Sequence, residues 1–514
     1  NNNQKIENDG QIVVTGSNNI GIQALANSDN TKVTTSDTGS IDVTGTGGVA
    51  NRNYALWVEG SGNNQAVADI SSAITLNSVG DIGVHVRNNA IANIDAKGSP
   101  VFKNGDQIGY YLYGNGATAN IGKTIIDDNG QTNTTIFRVA QGAQFLGNTQ
   151  DPETGVTSDI QLTLNGEGSV GVLGTGSGTV VDTGEASFNV AGTGASAIII
   201  EGGAIGTIDQ QTAINLSGEN STAGTVDGQA HDIKGANLGS AVNTTLTSNA
   251  TITSDAGDNS VIAYVAKNLG NLVLDTLAVV DLVSTDSIGV DVQQGGEFTN
   301  NSANVLHVSD GIGVRVSGAN TQVNKVGKIQ VDDGTAGIFL TNGAQLTVNG
   351  DGSGSDAITS NGTADGIRLD TGAKSLTAKN VTISALGSGA GIQNDANRSN
   401  ITLNNVTINA TDGPGIRTSV ALNVKDGANN VLNVSGDGTG FAFETRDGGA
   451  VTGDLNIGTG YTVNVTGSDG SGIRANTDGK VTTAADINVN NAAGSSAIIA
   501  KNVSALSNTG KIIS

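Results

Sequence analysis

The chain has 514 residues, a formal net charge of −23 from 47 acidic and 24 basic residues, and neither Cys nor Met. The lack of Cys excludes disulfides, thiolate metal sites and a Cys nucleophile, and the acidic balance argues against a nucleic-acid partner, which needs clustered Lys and Arg. Gly at 76 residues beside only 3 Pro does not fit collagen, and alternating runs of Val and Ile do not fit disorder. The absence of Met reads as a segment cut from a longer precursor. No stretch approaches the roughly 18 apolar residues of a membrane-spanning helix.

Along the chain, residues 1–20 read as a possible N-terminal cap. After them one pattern recurs: a small residue, an aliphatic, a variable residue, another aliphatic, then a polar turn. It runs Gly21-Ile22-Gln23-Ala24, Gly83-Val84-His85-Val86, Gly109-Tyr110-Tyr111-Leu112 and Gly171-Val172-Leu173. Variants with another residue in the Gly slot begin at Ala55, Ile136, Ala197, Val261 and Ala497, and a degraded copy is placed near Ala236-Asn237-Leu238. From Gly289 the starts fall at 289, 313, 337, 366, 391, 415, 440, 472 and 497, between 24 and 32 residues apart. Longer upstream intervals predict loop-bearing coils around 21–54, 136–170 and 197–260.

Within one period lie three short alternating segments. In residues 366–390 these are Gly366-Ile367-Arg368-Leu369-Asp370, Ser375-Leu376-Thr377-Ala378 and Val381-Thr382-Ile383-Ser384-Ala385-Leu386, parted by turn residues. Alternation at period two marks strands with one buried face. A single coil cannot bury that face alone, but stacked coils enclose a dry column of Val, Ile and Leu. The Leu-x-x-Leu-x-Leu signature of leucine-rich repeats is absent. The prediction is therefore an all-β, right-handed, three-sided parallel β-helix of about 18 coils filling 1–514 as a single domain.

This coil pattern, with the Gly/Asn/Thr/Ser-rich composition, the acidic balance and the lack of Cys, resembles the passenger domains of Gram-negative autotransporters, most nearly the self-associating and surface-binding adhesins. The resemblance covers nearly all of the chain and rests on period and style, with no catalytic motif. It implies export to the bacterial cell surface, anchorage through a C-terminal β-barrel outside this sequence, and attachment without catalysis.

Catalytic signals are weak. The three His (His85, His231, His307) stand near no Gly-x-Ser-x-Gly elbow, and zinc-type ligand spacings are missing. No cofactor or metal is expected. β-Helices also carry polysaccharide lyases and glycosidases, which use paired carboxylates. That alternative would rest on Asp127-Asp128, Asp332-Asp333, or Asp351 with Asp356, all of which also read as turns. Gly352-Ser353-Gly354-Ser355-Asp356-Ala357-Ile358 matches part of a calcium-binding nonapeptide, but it has no tandem copy. A phage tailspike is a more distant reading.

Binding signals are stronger. If the second and fourth positions of the repeat point inward, the third points out and forms a column along one face. That column collects Arg138, Arg315, Arg368, Arg417 and Arg474, five of the nine Arg, and Trp57, His85 and Tyr111. The Arg series predicts a groove for an acidic glycan, unless each Arg simply pairs with a surface acid. Eight of the fifteen aromatics fall between Tyr54 and Phe145. Trp57, Tyr111 and Tyr113 should face outward as sugar- or protein-binding anchors, with Tyr110 and Phe137 inside. Regular faces of Asn, Thr, Ser and Asp also suit side-by-side association with a second copy. The expected partners are thus another copy of the chain, or host glycans and matrix proteins.

Overall fold

The computed structural model describes all residues except 1–3, 28–29, 153, 258, 351–355, 397–399 and 491–492, and it describes no side chains for 4–6. Asp351 and Gly352-Ser353-Gly354-Ser355 of the carboxylate and nonapeptide readings lie outside the described residues. The chain is a right-handed parallel β-solenoid of about 19 coils, with 56% of its residues in strands. It divides into two compact units, Asn1–Asp255 with Asn259–Leu272, and Ala256–Asp258 with Val273–Ser514.

Each coil supplies one strand to each of three faces. In the second unit one coil runs Asp365–Leu369, Ser375–Lys379 and Thr382–Ala385. These pair in parallel with the next coil, Ile367 opposite Ile392, Leu376 opposite Ile401 and Ile383 opposite Ile408. Like residues therefore stack on like. Every one of these six aliphatics is fully buried, because period-two alternation turns each inward in its own strand. The first unit repeats the arrangement, with Tyr54–Glu59, Ile82–Arg87 and Ile108–Tyr113 stacked in register.

The Gly slot has a steric cause. A Cβ on Gly366 would lie 2.5 Å from Ile383 Cγ2 and 2.6 Å from the carbonyl oxygen of Gly391. The backbone passes so close to the neighbouring face there that no side chain fits. Corners carry a different device. Asn380, Asn405 and Asn429 adopt positive φ near 55°, a conformation that Asn tolerates and most residues do not. Outward Asn side chains form a ladder in which Asn433, Asn464 and Asn488 each donate about 3.0 Å bonds to Asn409, Asn433 and Asn464. Stacking of identical amides between strands of this spacing is expected of in-register parallel sheets.

One stretch departs from the sequence-based register. The predicted degraded copy at Ala236-Asn237-Leu238 belongs to an antiparallel hairpin, Ala230–His231 against Asn237–Leu238. The coil's own strand is Thr222–Asp227, in register with Ser196–Glu201. Its inward positions are Gly224 and Val226, so no aliphatic pair advertises it. Gly224 is vacant for a reason: a Cβ there would sit 2.9 Å from the Tyr264 ring, which the next coil buries completely. The outward series consequently passes from Ile199 to Thr225 and Val265, and Ala263 is buried. A second antiparallel hairpin, Asn148–Gln150 with Thr157–Asp159, also leaves the coil path.

Candidate functional site

In the first unit the outward column stacks Gln23, Trp57, His85, Tyr111 and Arg138 directly opposite one another. Parallel strand spacing of about 4.8 Å suits ring contact. The His85 and Tyr111 rings are parallel at 4.5 Å, and Trp57 meets His85 edge-on at 4.4 Å. Tyr54 packs 5.0 Å from Trp57, and Tyr113 lies edge-on 6.0 Å from Tyr111. The Arg87 guanidinium sits 5.3 Å from the Trp57 ring and 4.8 Å from that of Tyr113. Glu59 ties the group together, accepting from Trp57 Nε1 at 3.0 Å and pairing with Arg87 at 3.4 Å. Tyr110 and Phe137 are buried inside. Arg87, Glu59 and Tyr54 were not singled out from sequence, although alternation two residues beyond His85 and Trp57 points to the first two.

The ladder spends most of its ring faces on itself. Tyr111 is sandwiched between His85 and the Arg138 guanidinium, 5.9 Å away. What remains for a partner is a half-buried surface of ring edges, tyrosine hydroxyls and the Arg87 guanidinium. His85 lies beneath it, 4% exposed, and neither ring nitrogen has a hydrogen-bond partner. Burial, with a smaller contribution from Arg87, pushes its pKa down to about 3. The ring is therefore neutral in the fold, whereas an unfolded His binds a proton near pH 6.5. Because the folded value is depressed, this contribution to stability is complete above about pH 6.5 and is lost as the pH falls toward 3. A His85→Phe variant, which keeps the stacked ring, should match the parent's thermal midpoint at pH 7 and exceed it at pH 4. Parallel midpoint curves across that range would remove the assignment.

Arg138 closes the ladder and donates 2.9 Å to the His231 carbonyl. Arg52 donates 3.1 Å to that of Ile233. The hairpin at residues 230–238 thus folds back along the column from its own coil. His231 Nδ1 is held 2.7 Å from the buried Glu201. Arg138, predicted to line an open groove, is itself 6% exposed.

In the second unit the column runs Asp291, Arg315, Phe339, Arg368, Gln393, Arg417, Ala442, Arg474 and Ile499. The structure places all four predicted Arg here on this face, and three of them have acidic partners. Arg315 grips Asp291 at 2.9 and 2.5 Å. Arg368 lies 3.3 Å from Asp395, and Arg474 lies 2.7 Å from Glu444. The stripe is largely neutralised within the protein, which weakens it as a continuous acidic-glycan groove. Arg417 differs: its Nε and Nη1 are buried without partners.

Two of the proposed acids, Asp128 and Asp332, serve other ends. Asp128 is fully buried and accepts from the backbone N–H groups of Gly130, Asn165 and Gly166 at 2.9 to 3.0 Å, as a turn residue does. Asp332 is 2.8 Å from His307 Nε2, and Asp281 is 2.6 Å from Nδ1. Burial opposes charging of His307, but the two carboxylate hydrogen bonds outweigh it and raise the imidazole pKa. A pair that the sequence did not single out, Asp209 and Asp182, shares a hydrogen bond, and burial with that bond raises Asp209 to about 6. Two carboxyls in direct contact leave no room for a glycosidic bond, which needs roughly 5 Å or more between them. Among the described residues no group of three or more His, Asp or Glu is arranged to hold a metal ion.

No known family model matches the chain, and no curated protein matches it in sequence.

Proposed function

We propose that this chain is the non-catalytic attachment scaffold of a bacterial surface adhesin, of the kind found in autotransporter passengers, and that it binds surface glycans or matrix proteins. One observation carries the reading: the patch of Trp57, Tyr54, Tyr113 and Arg87, held in place by Glu59 and the stacked His85–Tyr111 pair. Trp, Tyr and Arg are the residues that dominate binding energy at recognition surfaces. Here they are pre-stacked on rigid sheet, so little side-chain entropy remains to be lost on binding. Export to the cell surface and self-association on neighbouring cells belong to the same reading, supported by the coil style and the acidic surface.

The purified chain should bind a subset of a glycan and matrix-protein array. Trp57→Ala combined with Arg87→Ala should weaken that binding by about 10–100-fold, the effect of losing one or two hot-spot residues. Circular dichroism checks that the coils remain. Array binding unaffected by the double substitution would refute the patch as the attachment site.

A further inference from the structure

The second unit holds a cationic site that the paired Arg residues do not explain. Arg417 is 7% exposed, and its Nε and Nη1 meet no acceptor. Its column neighbours are Gln393 and Ala442, neither of which carries charge. Over this spot passes a second cation. After the Thr439–Phe443 strand the chain turns at Thr445–Gly449, where Thr445 N–H donates 3.1 Å to the Gly449 carbonyl. From that turn Arg446 reaches back across the coils of Arg417 and Gln393 to Asp365, 2.6 Å from Nη2 and 81 residues away in sequence.

Asp365 and Glu444 act on Arg417 from nearby, but neither forms an ion pair with it. Arg368, Arg417, Arg446 and Arg474 face Asp365, Asp395 and Glu444. Each of the three acids already has a cation of its own: Arg446, Arg368 and Arg474 respectively. The leftover charge is on Arg417. An unpaired cation this deeply enclosed is costly, and the cost is removed by a partner of opposite sign. Burial, followed by the nearby Arg446, accordingly holds the Arg417 pKa below its ordinary value.

We propose that Arg417 and the overlying Arg446 form a binding site for one compact oxyanion, the carboxylate or sulfate group of an acidic sugar. Arg417 still has unused N–H donors for such a group, and Ala442 beside it in the column offers no side-chain acceptor in competition. A flat guanidinium takes such a group through two parallel N–H bonds. The site is built from residues of the second unit and the aromatic patch from residues of the first, and either can fail alone.

The test uses the full chain and its Arg417→Leu variant. Thermal midpoints are compared in sodium sulfate and sodium chloride at equal ionic strength, and sodium glucuronate is titrated calorimetrically against glucose. The parent should gain more midpoint from sulfate than the variant does, and should bind glucuronate about tenfold or more tighter than the variant binds it. In chloride the variant should be at least as stable as the parent, since it lacks the unpaired charge. A response to sulfate without glucuronate would assign the site to sulfate esters or the free ion, and glucuronate alone would assign it to uronates. Equal sulfate gains in both proteins, with no glucuronate heat in the parent, would be the general salting effect of sulfate and would overturn the proposal.

Discussion

Replacing Arg315 with Met should lower the stability of the fold by about 3–5 kcal/mol, the cost of leaving one member of a buried ion pair alone. Asp291 is fully buried, and Arg315 grips both of its carboxylate oxygens. The pair also raises the pKa of Arg315, chiefly through the hydrogen bond to Asp291. Without the guanidinium, an ionised carboxylate remains under the sheet face with too few donors. Changing both partners, Arg315→Met with Asp291→Leu, should recover most of the loss, because the uncompensated charge is then gone. Urea denaturation of the parent, the single variant and the double variant measures this directly. A single variant as stable as the parent would mean that Arg315 is free for a ligand and does not serve to neutralise Asp291.

The second large effect concerns the Gly slot. Gly366→Val should cost about 3 kcal/mol or more, at the upper end of overpacking penalties. The side chain would collide with Ile383 Cγ2 and with the Gly391 carbonyl oxygen. That oxygen accepts a 2.9 Å bond from Ile367 N–H, so it cannot yield without breaking the ladder between coils. The neighbouring change Arg368→Gln, at a half-buried side chain, removes only one partly exposed ion pair and should cost less than about 1 kcal/mol. Denaturation midpoints of the two variants separate a steric requirement at the slot from a general sensitivity of the coil.

Much of this was legible in the sequence because one physical rule repeats. Gly366-Ile367-Arg368-Leu369 states both the close approach at the first position and the in-out-in alternation of the next three. Stacking such copies places Arg315 beside Asp291 and Tyr111 beside His85, as the pairing shows. The rule fails where a coil fills its interior differently. Thr222–Asp227 uses Gly224 to admit the Tyr264 ring, and that economy of space depends on the next coil, 40 residues away in sequence. Partners that arrive from loops were also invisible. Arg446 meets Asp365 from a turn three coils away, and the hairpin carbonyls of His231 and Ile233 reach Arg138 and Arg52. No local pattern encodes such contacts. The aromatic ladder was anticipated as separate anchors, whereas strand spacing presses its rings into one stack whose faces are mutually satisfied.

That stack shapes the functional reading. A carbohydrate-cleaving site needs separated acids converging on a cleft. Of the candidate acids, Asp128 closes a turn and Asp332 hydrogen-bonds His307. A patch of Trp, Tyr and Arg on an unyielding sheet instead suits holding a partner.

The most direct measurement is display of this chain on a non-aggregating bacterium, scored for retention on a glycan and matrix-protein array and for shortening of the captured polysaccharides. Retention of the displaying cells with the captured chains left at full length is the predicted result. Failure to retain cells on any surface, or retention followed by steady shortening of a polysaccharide, would contradict the account of a non-catalytic attachment scaffold.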